Sequence, residues 1–246
     1  LIDLGLPVEE LQGLLPSLGL SGVSLTARRV TKQHLTGVKV EIEATAQQPA
    51  RTYREICALI EAAPLAEAVK ARSLTAFRLL GEVEARIHGQ PLETVHFHEL
   101  GALDTIVDVV GAAHGLEYLG VSRVFCSPLP MGWGMIAAGH GRLPNPAPAT
   151  LELLSGLPVY GTDLAGELVT PTGAVILKAW EAQCEPCPPM TLAAVGYGAA
   201  GGLTFLSKPL SDAQAGRSRP NITAVGGLGT ENGTWAAAAG DDRERE

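Results

Sequence analysis

No run of this sequence stays apolar long enough to cross a bilayer. Each is broken by a charge or a glycine within about 10 residues, where a span needs about 20. Cysteine is scarce: Cys57, Cys126, Cys184 and Cys187 are the only four in 246 residues, too few for a disulfide scaffold and suited to a reducing compartment. Aromatics make up only 4%, so the core has to be mostly aliphatic. Positive charge is not in surplus either. Lys and Arg number 18 against 26 Asp and Glu, a net charge of -8, which argues against nucleic acid as a partner. Residues 1–7 lack the basic flank and cleavage site of a signal peptide. These absences point to a soluble, cytoplasmic protein with no membrane partner. The chain opens on Leu1 rather than Met, so a leading piece is expected to be missing.

What is present suffices for one large core or two small ones, with 46% hydrophobic residues. Val8 to Leu15 reads as a short helix opened by Pro7. Alternation at Val23, Leu25 and Ala27, and at Val38, Val40 and Ile42, predicts two strands joined through His34 and Gly37 as a hairpin. Helical spacing then appears at Tyr53, Ile56 and Ile60, and again from Val69 to Ile87, stopped by Gly89 and Pro91. A short strand is expected at Val95 to His98, a helix from Leu103 to Gly120 and a strand from Val121 to Cys126. Ser127 to Pro148 is so dense in proline and glycine that it predicts loop. A helix at Ala149 to Leu154, a strand at Pro158 to Tyr160 and a last helix ending near Glu181 follow. The expected class is α/β of mixed α+β character. A small N-terminal helix–hairpin–helix portion (1–93) precedes an αβ core (94–225), and a Gly- and Ala-rich tail (226–246) is expected to be disordered.

The stretch from His96 to Asp108 is the most informative. On a strand, His96 and His98 project to the same face. On the helix that follows, Asp104 and Asp108 lie one turn apart, away from the apolar stripe of Leu103, Ile106, Val107 and Val110. A turn at Gly101 could bring both faces, with Glu99, into one cleft. Two imidazoles with two or three carboxylates suit a borderline divalent ion such as nickel, zinc or cobalt. The plainer alternative is half-buried strand histidines beside a solvated acidic helix face.

Three further places carry chemistry. His140, flanked by glycines, and Arg142 could complete a metal site or meet an anion; the alternative is a surface histidine. Thr170-Pro171-Thr172-Gly173 has the residues of a helix start, Thr170 at the N-cap and Pro171 at the first position. The N–H groups of Thr172 and Gly173, the Thr172 hydroxyl and the helix dipole could hold a phosphate or carboxylate there, unless it is simply a capped helix. Cys184 and Cys187 form a C-x-x-C pair that could serve as a soft-metal or redox site. No residue is singled out as catalytic.

Together these residues resemble the LarC family of nickel-insertion proteins. The stretch from His96 to Asp108 is similar to its HFHE-[VL]-GA-x-D-[ST]-I-x-D signature, His140 to Thr150 and Glu167 to Gly173 to its next two motifs. Gly196-Tyr197-Gly198 and Pro220-Asn221-Ile222 are similar to later landmarks, so the likeness runs from about Leu1 to Val225. The resemblance implies insertion of Ni2+ into pyridinium-3,5-bisthiocarboxylic acid mononucleotide, a lyase-class step that makes the nickel-pincer cofactor. It implies motif roles at His96, His98, Glu99, Asp104, Asp108, His140 and Thr170 to Gly173. It also implies CTP with Mg2+ or Mn2+, expected on a C-terminal LarC domain or partner chain beyond this sequence, and it allows a homo-oligomer. The histidine-rich loop of many members is here Gln47-Gln48-Pro49. Other functions open to the same residues are a divalent-metal-dependent hydrolase and a non-catalytic nickel chaperone.

Overall fold

A computed structural model describes residues 1–32, 34–45, 49–97, 103–138, 141–185, 189–199, 203–209 and 222–228. After a turn of 3-10 helix at Ile2–Leu4, the chain forms α1 (Val8–Ser17), β1 (Val23–Lys32), β2 (Leu35–Ala44), α2 (Tyr53–Ala62) and α3 (Glu67–His88). A second 3-10 turn, Leu92–Thr94, precedes α4 (Leu103–Tyr118) and β3 (Arg123–Cys126). Then come β4 (Leu129–Trp133), β5 (Met135–Ala138), β6 (Gly141–Pro144), α5 (Pro148–Leu154), β7 (Val159–Ala165) and α6 (Pro171–Ala179). The last strands are β8 (Gln183–Cys184), β9 (Leu192–Ala199), β10 (Leu203–Pro209) and β11 (Ile222–Leu228).

The mixed α/β class expected from the sequence is what forms. Seven strands make one mixed sheet in the order β1-β2-β9-β10-β11-β3-β8, while β4 pairs with β7 and β5 with β6 in two-stranded sheets. The predicted hairpin is β1–β2, turning at His34, whose φ of 69 is left-handed; Gly37 lies within β2 opposite Val30, not in the turn. β2 runs parallel to β9, so the N-terminal hairpin edges the same sheet as the C-terminal strands. At that seam Gly196 is required: a Cβ there would sit 2.7 Å from Leu4 Cγ, and the neighbouring Tyr197 N–H donates to Asp3 Oδ2 at 2.9 Å.

The expectation of loop from Ser127 to Pro148 is corrected, since β4, β5 and β6 all lie within it. Proline is excluded from a central strand because it cannot donate, but each of these strands has an open side. Pro130 pairs with Tyr160, and Pro144 with Met135, in sheets of two. The strand expected at Pro158 to Tyr160 runs on to Ala165. The disordered tail expected from residue 226 is also corrected at its start. Residues 226–228 pair with β10 as part of β11, and residues 229–246 lie outside those described.

One cluster of buried side chains joins the helices to the sheet. Leu11, Leu14 and Leu15 of α1, Ile56 and Ile60 of α2, Phe77 and Leu80 of α3, Ile106 and Val110 of α4, and Val175 of α6 all belong to it. Aliphatic side chains dominate, as a chain this poor in aromatics requires. Among the described residues no helix is long and apolar enough to cross a membrane.

Candidate functional site

Two buried side chains hold the segment that carries His96. Val95 is 0% and Phe97 1% exposed, and the Phe97 ring meets Phe77 edge-on at 6.2 Å between centroids. Alternation of an extended chain therefore turns His96 outward, where it is exposed. Of the predicted strand at Val95 to His98, the described residues show a single bridge, between His96 and Thr52. The Tyr53 N–H donates to the Val95 carbonyl at 3.2 Å, and the Phe97 N–H to the Arg51 carbonyl at 3.5 Å. His98 and Glu99 lie outside the described residues.

That bridge sets His96 beside the start of α2. Thr52 and Glu55 form a capping box: the Glu55 N–H donates to Thr52 Oγ1 at 3.3 Å and the Thr52 N–H to Glu55 Oε2 at 2.7 Å. The Thr52 N–H, then the Thr52 hydroxyl donating to the same Oε2 at 2.9 Å, hold the Glu55 carboxyl below its ordinary value, with a smaller contribution from His96. Glu55 is therefore a carboxylate within electrostatic reach of His96 that motif reading passed over. The T-x-x-E pattern at Thr52 to Glu55 was legible, but its pairing with His96 is non-local.

Asp104 and Asp108 stand one turn apart at the start of α4, and both are exposed. Asp104 Oδ1 accepts from the Thr105 N–H at 3.0 Å. Asp108 keeps solvent access yet loses much of its hydration to the surrounding fold. That loss, then the Asp104 charge, push its carboxyl up to about 6. The inward face of the same helix carries Ile106, Val109 and Val110, all 0% exposed.

The second region lies after β3. Arg142 is exposed on β6 opposite Ala137, while His140 lies outside the described residues. The β5–β6 hairpin is tied to the strand leading to α6, because the Asn145 side-chain amide donates to the Gly166 carbonyl and the Asn145 N–H to the Gly134 carbonyl at 3.0 Å. Trp133 Nε1 donates to the Asp163 carbonyl at 2.9 Å and Thr162 Oγ1 to the Met131 carbonyl at 3.0 Å. The contact is so close that a Cβ on Gly132 would collide with the Gly166 carbonyl oxygen. The motif that holds Arg142 and the one that holds Thr170 are thus one unit, joined through Asn145, a residue whose role no local pattern announced.

Thr170 caps α6, as expected, with Pro171 at the first helical position. Its hydroxyl accepts from the Gly173 N–H at 3.1 Å, and the Ala174 N–H donates to its carbonyl at 3.0 Å. The sequence reading of Gly173 as a free donor is corrected: the cap already uses that group. Thr172 supplies the remaining N–H at this helix start.

Topology relates the two regions. β3 and β8 are parallel neighbours. α4 feeds β3 and α6 feeds β8 through connections of a few residues, each closed by a tight backbone bond: Val121 N–H to Leu116 O at 2.8 Å, Ala182 N–H to Leu177 O at 2.9 Å. Both helices pack against α3 and against each other. Among the described residues no three His, Cys, Asp or Glu gather closely enough to hold a metal ion. Of the six ligands expected from sequence, three are therefore described. Asp104 and Asp108 are together, and His96 stands by Glu55 instead of completing a trio with them.

A family model described as nickel insertion protein matches residues 1–207. A protein of Geotalea daltonii named for nickel insertion is 46% identical over 211 residues, 85% of this chain and 54% of that protein. Another so named, from Syntrophotalea carbinolica, is 44% identical over 235 residues, 96% of this chain and 56% of that protein. A protein of Desulfitobacterium hafniense, named pyridinium-3,5-bisthiocarboxylic acid mononucleotide nickel insertion protein, is 45% identical over 199 residues, 81% of this chain and 50% of its own length. The chain spans about half the length of the curated relatives it matches. No solved structure matches it.

Proposed function

This chain belongs to the nickel insertion protein family, the LarC type that its motifs resemble, and on that premise we propose that it carries Ni2+ to pyridinium-3,5-bisthiocarboxylic acid mononucleotide and takes part in making the nickel-pincer cofactor. The observation that carries this reading is the Asp104–Asp108 pair, two exposed carboxylates one turn apart whose mutual repulsion a divalent cation relieves. Nickel is here the cargo. His96, His98, Glu99 and His140 complete the ligand set in this reading. Imidazole and carboxylate ligands give up a borderline ion more readily than thiolates do, which suits delivery.

The acceptor's phosphate is assigned to the start of α6, where the Thr172 N–H and the helix dipole favour an anion, with Arg142 on the hairpin that Asn145 ties alongside. Bonding nickel to the pyridinium ring displaces a ring proton, and a neighbouring carboxylate or imidazole of the same cluster takes it up. The cap leaves a single N–H at this helix start, which this reading keeps for the acceptor's phosphate. CTP and its Mg2+ or Mn2+ are assigned to a C-terminal LarC domain or a partner chain.

Calorimetric titration with Ni2+, alone and with the acceptor mononucleotide, tests the proposal. Loss of ligands in His96→Ala/His98→Ala should weaken nickel binding at least about tenfold, and Arg142→Ala should weaken acceptor binding while leaving nickel binding intact. Unchanged nickel affinity in the double variant would reject the assigned ligands. Nickel binding with no acceptor binding would leave a chaperone in place of an insertase.

A further inference from the structure

The cysteines carry an inference that stands apart from the nickel chemistry. Cys126 and Cys184 are directly paired positions on the parallel neighbours β3 and β8, and their Sγ atoms lie 2.8 Å apart. Closing that gap to the ~2.05 Å of a disulfide asks for a shift of about 0.8 Å. β8 is two residues long and sits at the edge of the sheet, so it is free to make that shift. Cys126 is 4% exposed, and burial, then the neighbouring Cys184 sulfur, push its thiol up to about 12. Cys184 is half-buried and so reachable by a small reagent. Among the described residues no third His, Cys, Asp or Glu joins the pair, which sets it apart from a structural metal site with its four ligands.

We propose that Cys126 and Cys184 form a reversible dithiol–disulfide pair, oxidised by small disulfides of the glutathione class. The Cys184 thiolate attacks one sulfur of the small disulfide, expels one small thiolate and forms a mixed disulfide. Cys126, giving its proton to solvent, then attacks Cys184 Sγ and expels the second small thiolate. The protein's two thiols become one disulfide, the small disulfide becomes two thiols, and the protons released by the protein are taken up by the two leaving groups. In a reducing compartment the pair rests as thiols, and oxidative stress closes it. Closure staples β8 to β3, 58 positions apart in the chain, and so fixes the exit of α6, whose start carries Thr170. A cross-link over such a separation narrows the unfolded ensemble.

Oxidised glutathione followed by thiol counting and peptide mapping of this chain decides the matter. The expected result is a peptide pair joined through Cys126 and Cys184, free thiols falling from four to two, and a Tm higher by about 5 °C or more, all reversed by dithiothreitol. Cys187→Ala should leave the cross-link and the shift intact, whereas Cys184→Ser should abolish both. Four thiols persisting after oxidation, a Cys184–Cys187 link, or only glutathionylated protein would each overturn the proposal. Mapping the wild-type chain decides even if a variant fails to fold.

Discussion

The region from Val95 to Asp108 and the region from Trp133 to Gly173 are held in place by different physics. In the first, polar side chains ride on apolar anchors: Val95, Phe97, Ile106, Val109 and Val110 are at most 1% exposed, and His96, Asp104 and Asp108 are carried outward by the alternation of strand and helix. In the second, the strands are short and largely exposed, with Trp133 at 59% and Tyr160 at 46%, and position depends on individual hydrogen bonds to backbone carbonyls. Apolar anchoring spreads its cost over many contacts and leaves the outer face free to take up chemistry. Anchoring by hydrogen bonds concentrates the cost in a few groups, so single polar changes should be felt there and hardly at all in the first region.

The sharpest way to break this contrast is Phe97→Ala. It should cost about 3–5 kcal/mol in urea unfolding, because a buried ring is replaced by a cavity against Phe77. A cost below 1 kcal/mol would show that the first region is not anchored by its core. Asn145→Ala should cost about 1–3 kcal/mol by leaving the Gly166 carbonyl short of its donor. It should also weaken acceptor binding while sparing nickel binding, and equal losses in both would dissolve the distinction between the regions. Thr170→Ala should cost about 1 kcal/mol, and Thr170→Ser should restore most of it, because the cap needs only the hydroxyl.

The smallest effect has the opposite sign. A carboxyl held above its ordinary value opposes folding once ionised: the cost begins as pH rises past 3.8 and is complete above about 6. Asp108→Asn removes it. The variant should therefore melt above the wild type beyond pH 6, by less than about 1 kcal/mol once solvent around this accessible carboxyl is allowed for. The two should converge near pH 4. A gap that stays constant down to pH 4 would mean that the charge on Asp108 is not its source.

The same contrast explains what could be read from the sequence. Helices α2, α3 and α4 were legible because their apolar residues recur at helical spacing and Gly89 and the prolines mark their ends. The acid pair was legible because one helical turn fixes its spacing, and the Thr170 cap because capping is local. The strands β4 to β6 were not, since the prolines and glycines that suggest a loop also suit exposed two-stranded ladders, and only the partner strand tells them apart. The ties from His96 to Thr52 and Glu55, and from Asn145 to Gly166, join positions 44, 41 and 21 residues apart. No periodicity reaches across such gaps. The Cys126–Cys184 pairing was hidden for the same reason, although Cys184 and Cys187 drew attention as a motif.

In the proposed function nickel is held by imidazole and carboxylate. X-ray absorption of the nickel-loaded chain reads that first shell. A first shell of nitrogen and oxygen with imidazole scattering, diminished in Asp104→Asn/Asp108→Asn, is the predicted result. A sulfur shell that persists in that variant would contradict it.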